Sequence, residues 1–213
     1  MSILKPKKTL LNNLRKIDNL IEELNKNKEI DNIFIENYKE NEMDFSDVRI
    51  ERAVINNVEI INGKLESSTF IDIEFNNCNF SNTSFENSAF IRCEFNNCKL
   101  TGGSFIENRI YNVSFLETNI SYANFSIASI ENVLFNNSNL RNSSFQENKL
   151  KNIIFKQADL TQVQFFKTSL KGIDFSESII EGMAVSIEDI KGASINQFQA
   201  VDLLYLLKVK VKE

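Results

Sequence analysis

Cys78 and Cys98 lie twenty residues apart with Cys93 between them, and Glu74 and Glu94 keep the same interval. Thiols so placed could close a disulfide or hold a soft metal ion. Carboxylates one strand spacing apart would stand near the separation of about 5–5.5 Å used by retaining glycosidases. The chain has no His, so the usual general base and commonest metal ligand are missing. Ser is plentiful, yet no Ser–His pair can form, and no Gly-rich phosphate loop occurs. The residues read better as structure. Cys fills a small inward slot, and the Glu pair is a solvated like-charge pair on a flat wall that offers no pocket. The expectation is a non-enzyme with no catalytic residues, no cofactor and no metal.

The elements that must position these residues follow an unusual period. Every multiple of five from Phe45 to Ile195 is Phe, Leu, Ile or Val. Two residues before it stands a small or β-branched residue, such as Ala53, Ser68, Cys78, Cys98, Gly103, Ala123, Ser138 or Thr168. Two residues after it Asn is frequent: Asn57, Asn77, Asn97, Asn112, Asn137, Asn152. Five is the period of neither a helix nor a strand. A unit with two inward and three outward residues is too short to fold alone, but stacked coils of such units bury a continuous core.

Composition bounds the rest. The 213 residues suit one domain, and with 42% apolar and 25% charged residues the chain is neither disordered nor membrane-embedded in bulk. No apolar run approaches a transmembrane length. "MSILKPKKTLLNNLRK" lacks the apolar core of a signal peptide. Sequons such as Asn79-Phe-Ser81 then read as by-products of the repeat, and the cytoplasm is the expected location. One Pro and six Gly are few for a chain that must turn so often. Turning needs another device.

The units "ADLTQ" at 158–162, "SNLRN" at 138–142 and "ANFSI" at 123–127 resemble the pentapeptide-repeat family, whose consensus is small-(Asp/Asn)-(Leu/Phe)-x-x. The resemblance covers residues 44–195. It implies an all-β solenoid, a right-handed quadrilateral β-helix with four units per coil.

Four sides can be checked independently. From Phe85 to Phe175 every odd multiple of five is Phe, and from Leu100 onward no even multiple is. Phe therefore lines two opposite walls and aliphatics line the other two, as a narrow square interior requires. At strand spacing, about seven to eight 20-residue coils make a rod of roughly 36 Å.

Helical caps are expected at both ends, giving three segments: 1–43, 44–195 and 196–213. Leu10, Leu14, Ile17, Ile21 and Leu24 predict an amphipathic helix from Thr9 to about Lys28 that caps or docks, with a short coiled coil as the alternative. Over 29–43, Ile30 and Ile35 are in phase, but Glu40 breaks the apolar register. Ser194 and Gln197 fit a capping box. Phe198, Val201, Leu204 and Leu207 form a stripe for the last coil, leaving Leu203, Tyr205 and Leu206 on other sides. "KVKVKE" reads as an edge strand with Val209 and Val211 on one face. Leu203, Tyr205, Leu206, Val209 and Val211 form the candidate homodimer interface. "QAVDLLYLLKV" resembles the C-terminal segment of the family's quinolone-resistance branch, which dimerises there.

Two binding functions are open. One is a protein-interaction scaffold of unknown partner, using the outward apolar residues Ile71, Ile91, Tyr111, Leu134 and Ile154, with Phe166 near the C-terminal end. Ile71, Ile91 and Tyr111 are spaced to form one column, unless the N-terminal segment folds over it. The other, implied by the resemblance, is a DNA mimic that binds DNA gyrase or topoisomerase IV and confers resistance to quinolones or other topoisomerase poisons. Acidic residues outnumber basic ones between Asp44 and Ile195, the sign of DNA. Their density is far below the roughly one charge per 1.7 Å of a duplex. Lys149, Lys151, Lys156, Lys167 and Lys171 interrupt it. No direct contact with nucleic acid or membrane is expected.

Overall fold

The computed structural model describes residues 3–5 and 13–208. One parallel sheet runs through the molecule. Its strands are β1 (Arg15–Ile17), β2 (Glu29–Glu36), β4 (Arg49–Asn56), β6 (Thr69–Asn76), β7 (Ala89–Asn96), β8 (Arg109–Leu116), β9 (Ser129–Asn136) and β10 (Lys149–Lys156), neighbours in that order. A second ladder pairs β3 (Lys39–Asn41) with β5 (Glu59–Ile61). From β2 onward each residue faces the one twenty positions on: Ile30 opposite Ile50, Phe115 opposite Phe135, Phe135 opposite Phe155. Single parallel bridges continue the other two walls, Lys64–Ser84–Ser104–Asn124–Ser144 on one and Asn79–Lys99–Asn119–Asn139–Asp159 on the wall adjoining it. The chain is a four-sided parallel β-solenoid.

The turning device is the residue two after each large one. Asn57, Asn77, Asn97, Asn112, Asn137 and Asn152 all have φ between 51 and 56°. Asn tolerates this left-handed conformation better than most residues, because its short polar side chain bonds locally. Asn152 also donates through Nδ2 to Asn132 Oδ1, and Asn97 to Asn77 Oδ1, one coil back. Each eight-residue strand therefore covers two walls with a bend between them, at Asn132 in β9 for example.

Inside, Phe115, Phe135 and Phe155 are buried and stacked, with centroids 4.9 and 5.2 Å apart. Coil spacing sets that distance, and opposite columns meet edge-on, as Phe135 does with Phe145. The small inward slots have a polar task as well. Thr118 N–H donates to Ser138 Oγ, and Ser68 N–H to Ser88 Oγ. Corner amides left out of the ladder are satisfied by the next coil.

Both ends differ from expectation. Helix α1 spans only Leu20–Lys26, while Arg15–Ile17 is a strand in the sheet. Leu10 lies outside the described residues. The offset between β1 and β2 is 18, Ile17 facing Ile35, so a helix replaces part of the first coil. Asn19 caps it, Oδ1 accepting from Glu22 N–H, and Leu20 and Leu24 are buried against the end of the core. Glu40 does not interrupt the coil. It faces Ile60 in register, half-buried, and its carboxylate accepts from the Tyr38 hydroxyl.

At the C-terminal end α2 (Ile187–Ile190) follows the last full wall, with Ser186 capping through Asp189 N–H. The predicted box at Ser194 and Gln197 is displaced by two: Asn196 Oδ1 accepts from Gln199 N–H, and Gln199 Oε1 accepts from Asn196 N–H. The Gln199 amide then donates to the carbonyls of Phe175 and Ser178. A four-residue α3 (Gln199–Asp202) and a 3₁₀ turn at Leu204–Leu207 stand where one continuous helix was predicted.

Candidate interaction surface

The ladder places the outward apolar residues in two columns. Ile71, Ile91 and Tyr111 face one another in register on one wall. Leu134 and Ile154 do so on the adjoining wall, above Ser114, Glu94 and Glu74. Between the columns runs the corner row Asp72, Arg92, Asn112, Asn132, Asn152, each with positive φ. Here Arg92 grips Asp72 through two bonds of 2.6 and 2.7 Å, which hold the guanidinium pKa above its ordinary value.

The N-terminal residues cross this corner. Leu4 N–H donates to Asn112 Oδ1 at 3.4 Å, and Lys5 Nζ lies 3.6 Å from Glu94 Oε2. Outward-facing Ile71 is only 8% exposed, and Asp72, Asn112 and Ser114 are buried. The column is thus closed at its Ile71 end. Ile91, Tyr111, Leu134 and Ile154 are half-buried. Phe166 is exposed farther along.

The thiols behave as fillers. All three cysteines are buried and unbridged. Cys98 Sγ accepts from Cys78 N–H, the same place in the corner ladder that Ser138 takes for Thr118. The stacked Cys78 sulfur and burial raise the Cys98 thiol well above its usual range, and burial pushes Cys93 up to about 12. Glu74 and Glu94 do stack, but the pair is less solvated than expected. Asn96 Nδ2 donates to Glu94 Oε1, and the Glu94 side chain is largely covered beside Lys5.

The C-terminal residues change sides. Leu203 and Leu206, assigned to a partner copy, pack on the chain's own last coil, and the Tyr205 hydroxyl donates to Met183 O. Phe198, Val201 and Leu207, assigned to that coil, face solvent, Phe198 at 78% exposure. The displaced cap rotates the stripe outward. Val209 and Val211 lie outside the described residues. Sequence reasoning also missed Tyr122 and Ile127, both exposed at left-handed corners. A β-branched residue there carries backbone strain.

This architecture is a parallel solenoid whose corner residues recur every five positions. Residues 88–165 match the family described as Pentapeptide repeat region, and residues 68–105 match Pentapeptide repeats (8 copies). The stretch 68–165 thus carries the repeats of the pentapeptide-repeat family. Among solved structures it is similar to HetL, a pentapeptide repeat protein involved in heterocyst differentiation regulation in the cyanobacterium Nostoc sp. strain PCC 7120. That similarity has 9% identity and a TM-score of 0.51, over 82% of this chain and 92% of HetL. It is also similar to trypsin-treated QnrB1, a plasmid-mediated fluoroquinolone resistance protein, at 17% identity and a TM-score of 0.42, over 87% of this chain and 99% of that one. A pentapeptide repeat protein of the Arabidopsis thaliana thylakoid lumen gives 25% identity and a TM-score of 0.41, over 42% and 63%. No curated protein matches the sequence. Among the described residues, no helix is long and apolar enough to cross a membrane.

Proposed function

We propose that the chain is a non-catalytic interaction rod of the cytoplasm that binds another protein through two adjoining walls, one bearing Ile91 and Tyr111 and the other Leu134 and Ile154. The observation that carries this reading is the alignment of these residues. A parallel ladder holds each pair on consecutive coils, so scattered surface apolars become two short columns that flank one corner. The flat walls favour contact with a macromolecule over enclosure of a small substrate. The reading as a mimic of DNA for gyrase or topoisomerase IV requires a continuous negative surface, and the exposed Lys149, Lys151, Lys156 and Lys171 interrupt it.

The test pairs capture from host lysate with a gyrase supercoiling assay run with and without a quinolone. A specific partner retained by the native chain and lost by Ile154→Asp supports the rod. Protection of gyrase, unchanged by Ile154→Asp, replaces it with the mimic. The same reading includes a two-fold homodimer through the C-terminal cap, now with Phe198, Val201 and Leu207 as contacts, since they are the apolar residues that the last coil leaves uncovered.

A further inference from the structure

We infer that the corner between the two apolar columns is a docking site for an extended, lysine-bearing apolar peptide, and that the chain's own N-terminal residues occupy it as an intramolecular ligand. This rests on the reading of the wall as an interaction surface and specifies what it takes. Ile3–Lys5 belong to no strand of the sheet, and β8, which Leu4 reaches, is five strands from β1. Those coils span roughly 24 Å, within the roughly 33 Å that ten extended residues cover.

The contacts made by these residues state the specificity. A backbone N–H meets the Asn112 carbonyl oxygen, and a lysine ammonium meets Glu94, with Glu74 stacked one coil away.

The occupant is shallow and imperfect. Leu4 is 54% exposed. Asn112 Nδ2 and Glu94 Oε2 are buried beneath it with no hydrogen bond among the described residues. A peptide that places a carbonyl on Asn112 Nδ2 and a closer ammonium on Glu94 would satisfy both, and would displace the N-terminal residues. Tethering gives those residues a millimolar effective concentration. Against a site of about 100 µM intrinsic affinity, they weaken a competing peptide roughly tenfold.

The experiment uses a fluorescent synthetic peptide of residues 1–12 and three full-length proteins, followed by anisotropy. The proteins are the native chain, Leu4→Asp/Lys5→Glu, and that double variant with Glu94→Gln added. Residues 4 and 5 lie outside every ladder, so the released chain keeps its coils, which circular dichroism checks. The double variant should bind the peptide about tenfold more tightly than the native chain. Adding Glu94→Gln should remove most of that gain. Equal affinity in the native and released chains overturns the inference, as does equal binding of a scrambled peptide. If the peptide binds as expected while Ile154→Asp leaves partner capture unchanged, the proposed function fails and this inference stands.

Discussion

The two ends of the rod are closed by opposite means. At the N-terminal end α1 lays Leu20 and Leu24 onto the core, and its polar residues face water. At the C-terminal end the seal is polar. The amide of Gln199 holds the carbonyls of Phe175 and Ser178, Asn196 Nδ2 holds that of Ser176, and Phe198, Val201 and Leu207 point away. A solenoid end must satisfy open ladder groups and cover apolar side chains. The first end meets the second need with its own residues. The second end meets the first need and leaves an apolar face over, the face that the proposed dimer would cover.

The middle of the rod is the yardstick for both ends. Phe135→Ala should cost about 3–5 kcal/mol in urea unfolding, because the stacked rings on either side cannot collapse into the void. Leu24→Ala should cost about 2–5 kcal/mol, a core-like value. A loss below 1 kcal/mol would make α1 an ornament and end the contrast. Gln199→Ala should cost less, about 1–3 kcal/mol, the price of buried carbonyls left without a donor.

Alkaline pH sharpens the comparison of interior with ends. Burial lifts the Cys93 thiol from 9.0 to about 12, so above pH 9 the unfolded chain loses a proton that the folded chain keeps. The stability contributed is complete below about pH 9 and falls as pH rises toward 12, by about 1.4 kcal/mol per unit. Cys93→Ala should flatten that part of the profile, whereas a variant at either end should not. The smallest effect on the fold is expected for Phe198→Ser/Val201→Ser. Its unfolding midpoint, compared with the native chain at concentrations where both are monomers, should shift little, while light scattering should fall from dimer to monomer mass. A native chain that is monomeric at micromolar concentration would remove the dimer.

Legibility in the sequence followed the same division. The columns through Phe115, Phe135 and Phe155 could be read because each position is checked by the ones twenty away. The slots of Cys78 and Cys98 came with them. The ends have such a check on one side only. Leu10, Leu14, Ile17, Ile21 and Leu24 fit a helical stripe, yet Ile17 joins the sheet because a strand edge was there to pair. The stripe at Phe198, Val201, Leu204 and Leu207 was real as a spacing. Its direction was set by the Asn196–Gln199 box, two residues from the predicted one. The apolar columns on the surface were legible for the same reason as the core. The crossing of the corner by Leu4 was not, since Leu4 and Asn112 are 108 residues apart and share no repeat.

The five-residue recurrence has a genetic consequence. An in-frame deletion of twenty residues within the repeats removes one coil and returns every later side chain to its old wall. A deletion of ten keeps Phe on the Phe walls and aliphatics on the others, so the interior barely registers it, but all later outward residues move on by two walls. Lys149, Lys151 and Lys171 would then leave the wall of Ile91 and Tyr111 in a single event. A lineage of such chains can reassign its outer faces by short insertions and deletions, without a compensating substitution inside.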